Sequence, residues 1–241
     1  MQKGFQEATD KPRKFYKTVA VVPEDGGFAV KLDERNVRSP KAGKLVVPAR
    51  GLAELVAEEW EAQGQFIELA AMHGTRLAFT ALEAVPLARE ATADQVAQYA
   101  GSDLVCYYAE EPSGLVERQQ AQWGPVLQRA EAELGLSFVR AAGIVHQAQP
   151  EATLAQVKAL ALAMDDFALT GLAFGTSLFG SAVLAFSLAR GWLTGEQAFG
   201  LSRLDEAWQE EQWGVDAEAA ERTARLAEEA QMLERWFRAL G

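Results

Sequence analysis

Residues 16–32 read Tyr-Lys-Thr-Val-Ala-Val-Val-Pro-Glu-Asp-Gly-Gly-Phe-Ala-Val-Lys-Leu. A run rich in β-branched residues, 16–22, meets Pro23-Glu24-Asp25-Gly26-Gly27 and returns as the apolar run 28–32. Strand, turn and strand is the economical reading, because Pro fixes the entry to the turn and Gly supplies positive φ. A second turn at 33–36 leads to a strand at 37–39, and a fourth short strand at 44–47 ends at Pro48. Strands this short are unstable alone and need a helix over one face. Residues 51–63 supply it: Leu52, Leu55, Val56 and Trp60 recur at helical spacing and Gly64 stops the pattern.

Beyond Ile67 the period changes from two to 3.6. Helices are expected at 75–85, 89–108, 114–134 with Ser113 as N-cap and Pro125 as a kink or break, 153–169, 176–189 and 195–213. Asp216 can cap a last helix whose Thr223, Leu226, Ala230, Leu233, Phe237 and Leu240 form a narrow apolar seam. The segment 137–147 is the exception, with β-like composition suited to an added strand or an extended connector. The expected fold is α+β: a small antiparallel β-rich N-terminal domain covered by a helix (1–70), then a larger, mainly helical domain (71–241). Residues 1–12 read as a tail.

The bulk numbers narrow the function. The chain has 241 residues, 49% hydrophobic and 24% charged, so it can bury a core without staples. Its net charge of −11 repels nucleic acid and anionic lipid. The single Cys106 forms no internal disulfide, which fits a reducing compartment. His73 and His146 stand far apart without a Cys cluster, so no metal site is expected. No secretory signal is visible. Residues 167–189 carry no charge and are long enough to span a bilayer, but Gly171, Gly175 and Gly180 with five Ser and Thr dilute them. They read as two buried helices meeting near Gly171 and Gly175, where small residues let neighbouring helices approach, not as a membrane span.

No catalytic constellation emerges. There is neither a dinucleotide glycine fingerprint nor a phosphate loop. Gly175-Thr176-Ser177-Leu178-Phe179-Gly180 has the wrong spacing for a nucleophile turn, so Ser177 reads as a packing residue. The pairs Asp165-Asp166 and Glu210-Glu211 diverge by about 100° on a helix and make no dyad. Asp103, among Leu104, Val105 and Cys106, reads as a buried cap or the partner of an arginine. His146 has no evident partner. No cofactor is expected.

The most distinctive stretch is 204–216, Leu-Asp-Glu-Ala-Trp-Gln-Glu-Glu-Gln-Trp-Gly-Val-Asp. On a helix, Leu201, Leu204 and Trp208 make a core stripe, while Glu206, Gln209, Glu210 and Trp213 make a second stripe ending at Gly214. Trp213 should pack on another helix of the chain or on a partner, since burying Trp is worth roughly 3 kcal/mol or more. From Asp205 to the end there are ten acidic and four basic residues, a charge that steers association with a basic patch.

This stretch resembles the signature of the assembly chaperones for the alpha subunit of F-type ATP synthase. Five other matches follow in the family's order. Arg13-Lys14-Phe15-Tyr16-Lys17 resembles its opening strand, and Leu32-Asp33 with Val37-Arg38-Ser39-Pro40 its turns. Glu59-Trp60-Glu61-Ala62-Gln63 resembles a helix end, Ser102-Asp103-Leu104 its Thr-Asp-Leu, and Gln119 to Trp123 its Gln-x-x-x-Trp helix. The resemblance spans about 13–216. It departs at Glu34, where Gly is usual, at 67–75, which lacks the family's prolines, and at Ser102.

The resemblance implies an ATP-independent chaperone, not an enzyme. It would bind the unassembled alpha subunit and prevent its aggregation before the catalytic head assembles. Glu206, Gln209, Trp213 and Gly214 are the implied functional cluster, with Asp216 and Asp103 beside them. Glu206 would supply the essential charge, to the client or to the fold beneath it. A monomer is expected, in a bacterial cytoplasm or, if organellar, the mitochondrial matrix. The alternative is an enzyme acting on a small polar or cationic substrate in an acidic cleft of the helical domain.

Overall fold

The computed structural model describes residues 12–143, 145–214 and 217–241, so the expected tail at 1–12, apart from Pro12, and the capping role of Asp216 fall outside it. The architecture is α+β, in two compact units that divide between Arg76 and Leu77.

The first unit is the meander with its helix. Strands β1 (Val19–Glu24) and β2 (Gly27–Leu32) pair antiparallel from Val19↔Leu32 to Glu24↔Gly27. On its other side β2 takes two-residue strands β3 (Arg35–Asn36) and β4 (Val46–Val47). Gly26, φ 85°, is the second residue of the two-residue turn, and Gly27, φ 148°, passes so close to β4 that a Cβ there would stand 2.1 Å from the Val47 carbonyl oxygen. The expected strand at 37–39 is only an Arg38↔Lys44 bridge. Asp33 turns the chain at φ 53°. Its carboxylate accepts from the Lys17 and Thr18 N–H groups, both at 3.0 Å, and these bonds hold it below the usual Asp range. Helix α1 (Arg50–Glu61) packs on β1, β2 and β4, burying Leu52, Ala53, Leu55, Val56 and Trp60.

The Glu-Trp-x-x-Gln motif is the wiring of this unit. Glu59 accepts from the Gly74 and Thr75 N–H groups and from Thr75 Oγ1, each at 2.7 Å, fastening the start of α2 (His73–Glu83). A carboxylate at a helix N-terminus satisfies free N–H groups and meets the positive end of the dipole. Gln63 bonds the Glu59 carbonyl and the Glu68 N–H.

The second unit is helical. Helix α3 (Arg89–Gly101) packs on α5 (Glu151–Leu162), α6 (Asp166–Phe179) and α7 (Ala182–Ala189). Helix α8 (Gly195–Ser202) lies on α7 and α10 (Ala217–Leu240), and α4 (Ser113–Leu134) on α7 and α9 (Leu204–Trp213). Trp123, Trp236, Phe179, Phe186 and Leu184 anchor the core. No helix among the described residues is long and apolar enough to cross a membrane.

Several boundaries differ from expectation. The uncharged run does not break at Gly171 or Gly175, which lie inside α6. A Cβ at Gly171 would come within 2.9 Å of Trp236, and one at Gly175 within 2.8 Å of Leu233, so these glycines let α10 approach. The break is at Gly180, φ 63°, followed by Ser181 capping α7 at Leu184 N. Asp165 caps α6 and separates it from α5. Pro125 leaves α4 unbroken: it is exposed, and a buried stripe from Leu115 through Trp123 to Leu134 holds both halves. Ser113 is inside α4, one residue after its cap. The 89–108 segment ends as a helix at Gly101, and 195–213 divides at Arg203. The β-like segment adds only β6 (Ala141–Ala142), parallel to β5 (Tyr107–Tyr108) in the second unit. The seam of α10 centres on Ala230, Leu233 and Trp236.

One contact yields a prediction. A Cβ on Gly195 would stand 2.3 Å from the Ala230 carbonyl oxygen, a backbone atom that no rotamer change removes. Gly195→Ala must push α8 off α10. A Tm loss corresponding to about 1–3 kcal/mol is expected in thermal unfolding.

Candidate functional site

Helix α4 fastens one side of α9. Gln119 is fully buried; its Oε1 accepts from the Ala109 N–H and its Nε2 donates to Asp205 Oδ1, both at 2.7 Å. Burial raises the Asp205 carboxyl above the usual range, against the Gln119 bond that favours its charge. Trp123 donates from Nε1 to the Leu201 carbonyl at 2.9 Å. That carbonyl is available because the chain turns at Arg203, leaving the last acceptors of α8 without helical partners. Arg118 forks onto Glu211 with two bonds of 2.8 Å, and its guanidinium lies 4.6 Å from the Trp208 ring centroid. The pairing lowers the Glu211 pKa. Gly114 makes room for Trp208, which a Cβ there would meet at 2.8 Å.

Leu204, Asp205, Trp208 and Glu211 therefore occupy the arc of α9 that faces α4. The opposite arc carries Glu206, Gln209 and Trp213, all exposed. Trp213 is 79% exposed and so packs on no other helix among the described residues. Glu206 has one weak ion contact, Arg203 at 3.9 Å, while Arg203 sits closer to Glu210 at 3.2 Å. Gln209 makes no side-chain hydrogen bond among the described residues. Gly214, φ 88°, donates to the Glu210 carbonyl at 2.9 Å and ends the helix just after Trp213. The arrangement is a helix fastened along one side to α4, whose free face ends in an exposed indole beside a carboxylate and an amide.

Asp103 is not part of this surface. It is fully buried and accepts from Ser181 Oγ at 2.5 Å, Val183 N at 3.0 Å and Val105 N at 3.3 Å, joining the 3-10 turn Leu104–Cys106 to the start of α7. Burial pushes its pKa up to about 6, against these bonds. Asp216 lies outside the described residues.

Among the described residues no three His, Cys, Asp or Glu side chains gather as metal ligands. His146 does have a partner, Tyr107 Oη at 3.0 Å from Nδ1. An open groove of about 560 Å³ is bordered by Asp94, Gln98, Ser102, His146 and Gln149. It contains no carboxylate pair. The core stripe expected of Leu204 and Trp208 is the arc that faces α4. Sequence reasoning missed Arg118, Asp205 and Glu211 as the polar residues that orient α9, for which the signal was the adjacency of Arg118 to the Gln119 motif.

Comparison with known proteins bears on the family and the fold. The family model described as ATP12 chaperone protein matches residues 13–131. The mitochondrial protein atp12 of Schizosaccharomyces pombe is 27% identical over 226 residues, 87% of this chain and 76% of that protein. The crystal structure of Atp12 from Paracoccus denitrificans superimposes with a TM-score of 0.88 at 35% identity, over 95% of this chain and 99% of that one. A protein from Agrobacterium tumefaciens gives 0.89 at 38% identity, over 95% and 87%. By sequence and by fold over nearly its whole length, the chain belongs to the ATP12 family of assembly chaperones.

Proposed function

We propose that this protein holds the unassembled alpha subunit of F-type ATP synthase without consuming ATP, and shields it from aggregation until the catalytic head assembles. The observation that carries the reading is Trp213, 79% exposed at the tip of a helix whose other side is locked to α4. An exposed indole forgoes burial worth roughly 3 kcal/mol, and a rigid aromatic ringed by polar groups is the usual anchor of a protein interface. Glu206 and Gln209 form its rim, and the acidic surroundings steer a basic client surface. A subunit awaiting assembly exposes surfaces that otherwise aggregate. Masking one needs no hydrolysis, only release when a larger matched interface competes. The protein would act as a monomer in a bacterial cytoplasm or a mitochondrial matrix.

Light scattering of freshly diluted, unfolded alpha subunit tests this. Suppression saturating near one equivalent, absent with beta subunit as client, is expected; no suppression at several-fold excess contradicts the reading. Glu206→Gln should leave Tm within about 1 °C, since its single surface ion contact contributes little. It should raise the half-saturating ratio several-fold. A collapse in Tm would assign Glu206 to the fold.

A further inference from the structure

We propose that the uncovered indole of Trp213 is an arginine receptor: one guanidinium of the unassembled alpha subunit stacks on the ring and is held at its edge by Gln209 and Glu210. The inference rests on the proposed function for its client and deepens it by naming the group that docks.

The chain builds this arrangement once for itself. On the arc of α9 that faces α4, the Arg118 guanidinium lies 4.6 Å from the Trp208 ring centroid and forks onto both oxygens of Glu211 at 2.8 Å. Ring and carboxylate are three residues apart, which makes them neighbours on a helix. Trp213 repeats that spacing with Glu210, and Gln209 stands four residues before the ring. Helical side chains lean toward the N-terminus, which directs the indole toward the turn that carries both. Among the described residues no cation lies on this second ring. There too, Glu210 gives only Oε1 to Arg203, and Gln209 makes no side-chain hydrogen bond.

Charge selects the occupant. Helix α9 carries four acidic residues and no basic one, so its own last turn offers no cation to the negative end of the dipole. On the free face Glu206 and Glu210 share the single guanidinium of Arg203, at 3.9 and 3.2 Å, which leaves one negative charge over. A cation beside the indole answers both. Arginine fits better than lysine, because a flat guanidinium stacks on an aromatic face while its edge N–H groups reach a carboxylate and an amide. A ring 79% exposed encloses no small free cation, so the guanidinium must arrive on a larger surface. A second copy is disfavoured, since each chain carries a net charge of −11 and two copies repel. A client segment bearing arginine meets no such repulsion.

The test replaces Trp213 by tetrafluorotryptophan in the full chain and titrates it against unfolded alpha subunit in light scattering. Fluorination keeps the shape and apolar area of the indole but depletes the negative face that holds a cation. The half-saturating ratio should rise about 3- to 10-fold, with monofluorotryptophan between the two and Tm unchanged. Capping the arginines of the alpha subunit with cyclohexanedione should weaken binding to the unmodified chain by at least as much, and hydroxylamine should restore it. The two losses should not add, because both remove one contact. Undiminished suppression by the fluorinated chain overturns the inference and leaves the proposed function standing. No suppression by the unmodified chain overturns both. Self-association of the chain alone in sedimentation, weakened by the fluorination, identifies a second copy and overturns the client assignment.

Discussion

Asp103→Ala lowers the stability of the helical unit by about 2–4 kcal/mol at neutral pH, a Tm loss of ~5–15 °C. The substitution leaves Ser181 Oγ and the Val183 and Val105 N–H groups without their acceptor, in a place with no exposure. Each unpaired donor costs about 1–3 kcal/mol, offset in part by release of a buried charge. The pH dependence separates the two contributions. The folded pKa, about 6, lies above the ordinary Asp value of 3.8, so the native state binds more protons between them. The stability Asp103 contributes is fully present below about pH 4 and falls as pH rises through 6. The Tm gap between wild type and Asp103→Ala should therefore be wider at pH 4.5 than at pH 7. A gap that is constant or widens with pH contradicts the assignment of Asp103 as a desolvated cap.

Trp213→Ala should do the reverse: leave stability within about 0.5 kcal/mol and weaken client binding by roughly 30- to 1000-fold. The indole is 79% exposed and makes no ring contact among the described residues, so the fold loses nothing. An interface aromatic of this kind contributes about 2–4 kcal/mol when it enters a partner's pocket. Trp208→Ala is the counterpart on the same helix. Trp208 lies against Arg118 and over Gly114, so its truncation should lower Tm first and affect binding through the displacement of α9. A titration of alpha-subunit light scattering, read beside thermal unfolding, distinguishes the two.

Local period made the sheet, α1 and most helices legible, because Leu52, Leu55, Val56 and Trp60 on one face leave few alternatives. It failed where one residue type has two uses. Gly171 and Gly175 allow the close helix approach expected of them without breaking the helix, whereas Gly180, with positive φ, is the stop. The division at Arg203 was hidden because residues on both sides favour helix. The site was legible as a list of residues, not as a surface. Both stripes of α9 end in tryptophan, and what decides between them is Arg118 and Gln119, some 90 residues earlier on α4.

The same geometry separates the motifs by role. Glu59, Gln63, Asp103, Gln119 and Trp123 are all consumed by hydrogen bonds inside their own units. Glu206, Gln209 and Trp213 are not, apart from the long Arg203 contact of Glu206. Residues the fold does not use are the ones left for a partner, and this is the reason for assigning the client to the free face of α9.

That assignment is tested most directly by a photoreactive cross-linker. Trp213→p-benzoylphenylalanine, irradiated with one equivalent of alpha subunit, should give a covalent heterodimer, and the same probe at buried Leu233 should not. Undiminished suppression of aggregation with no cross-link from position 213 would contradict the account.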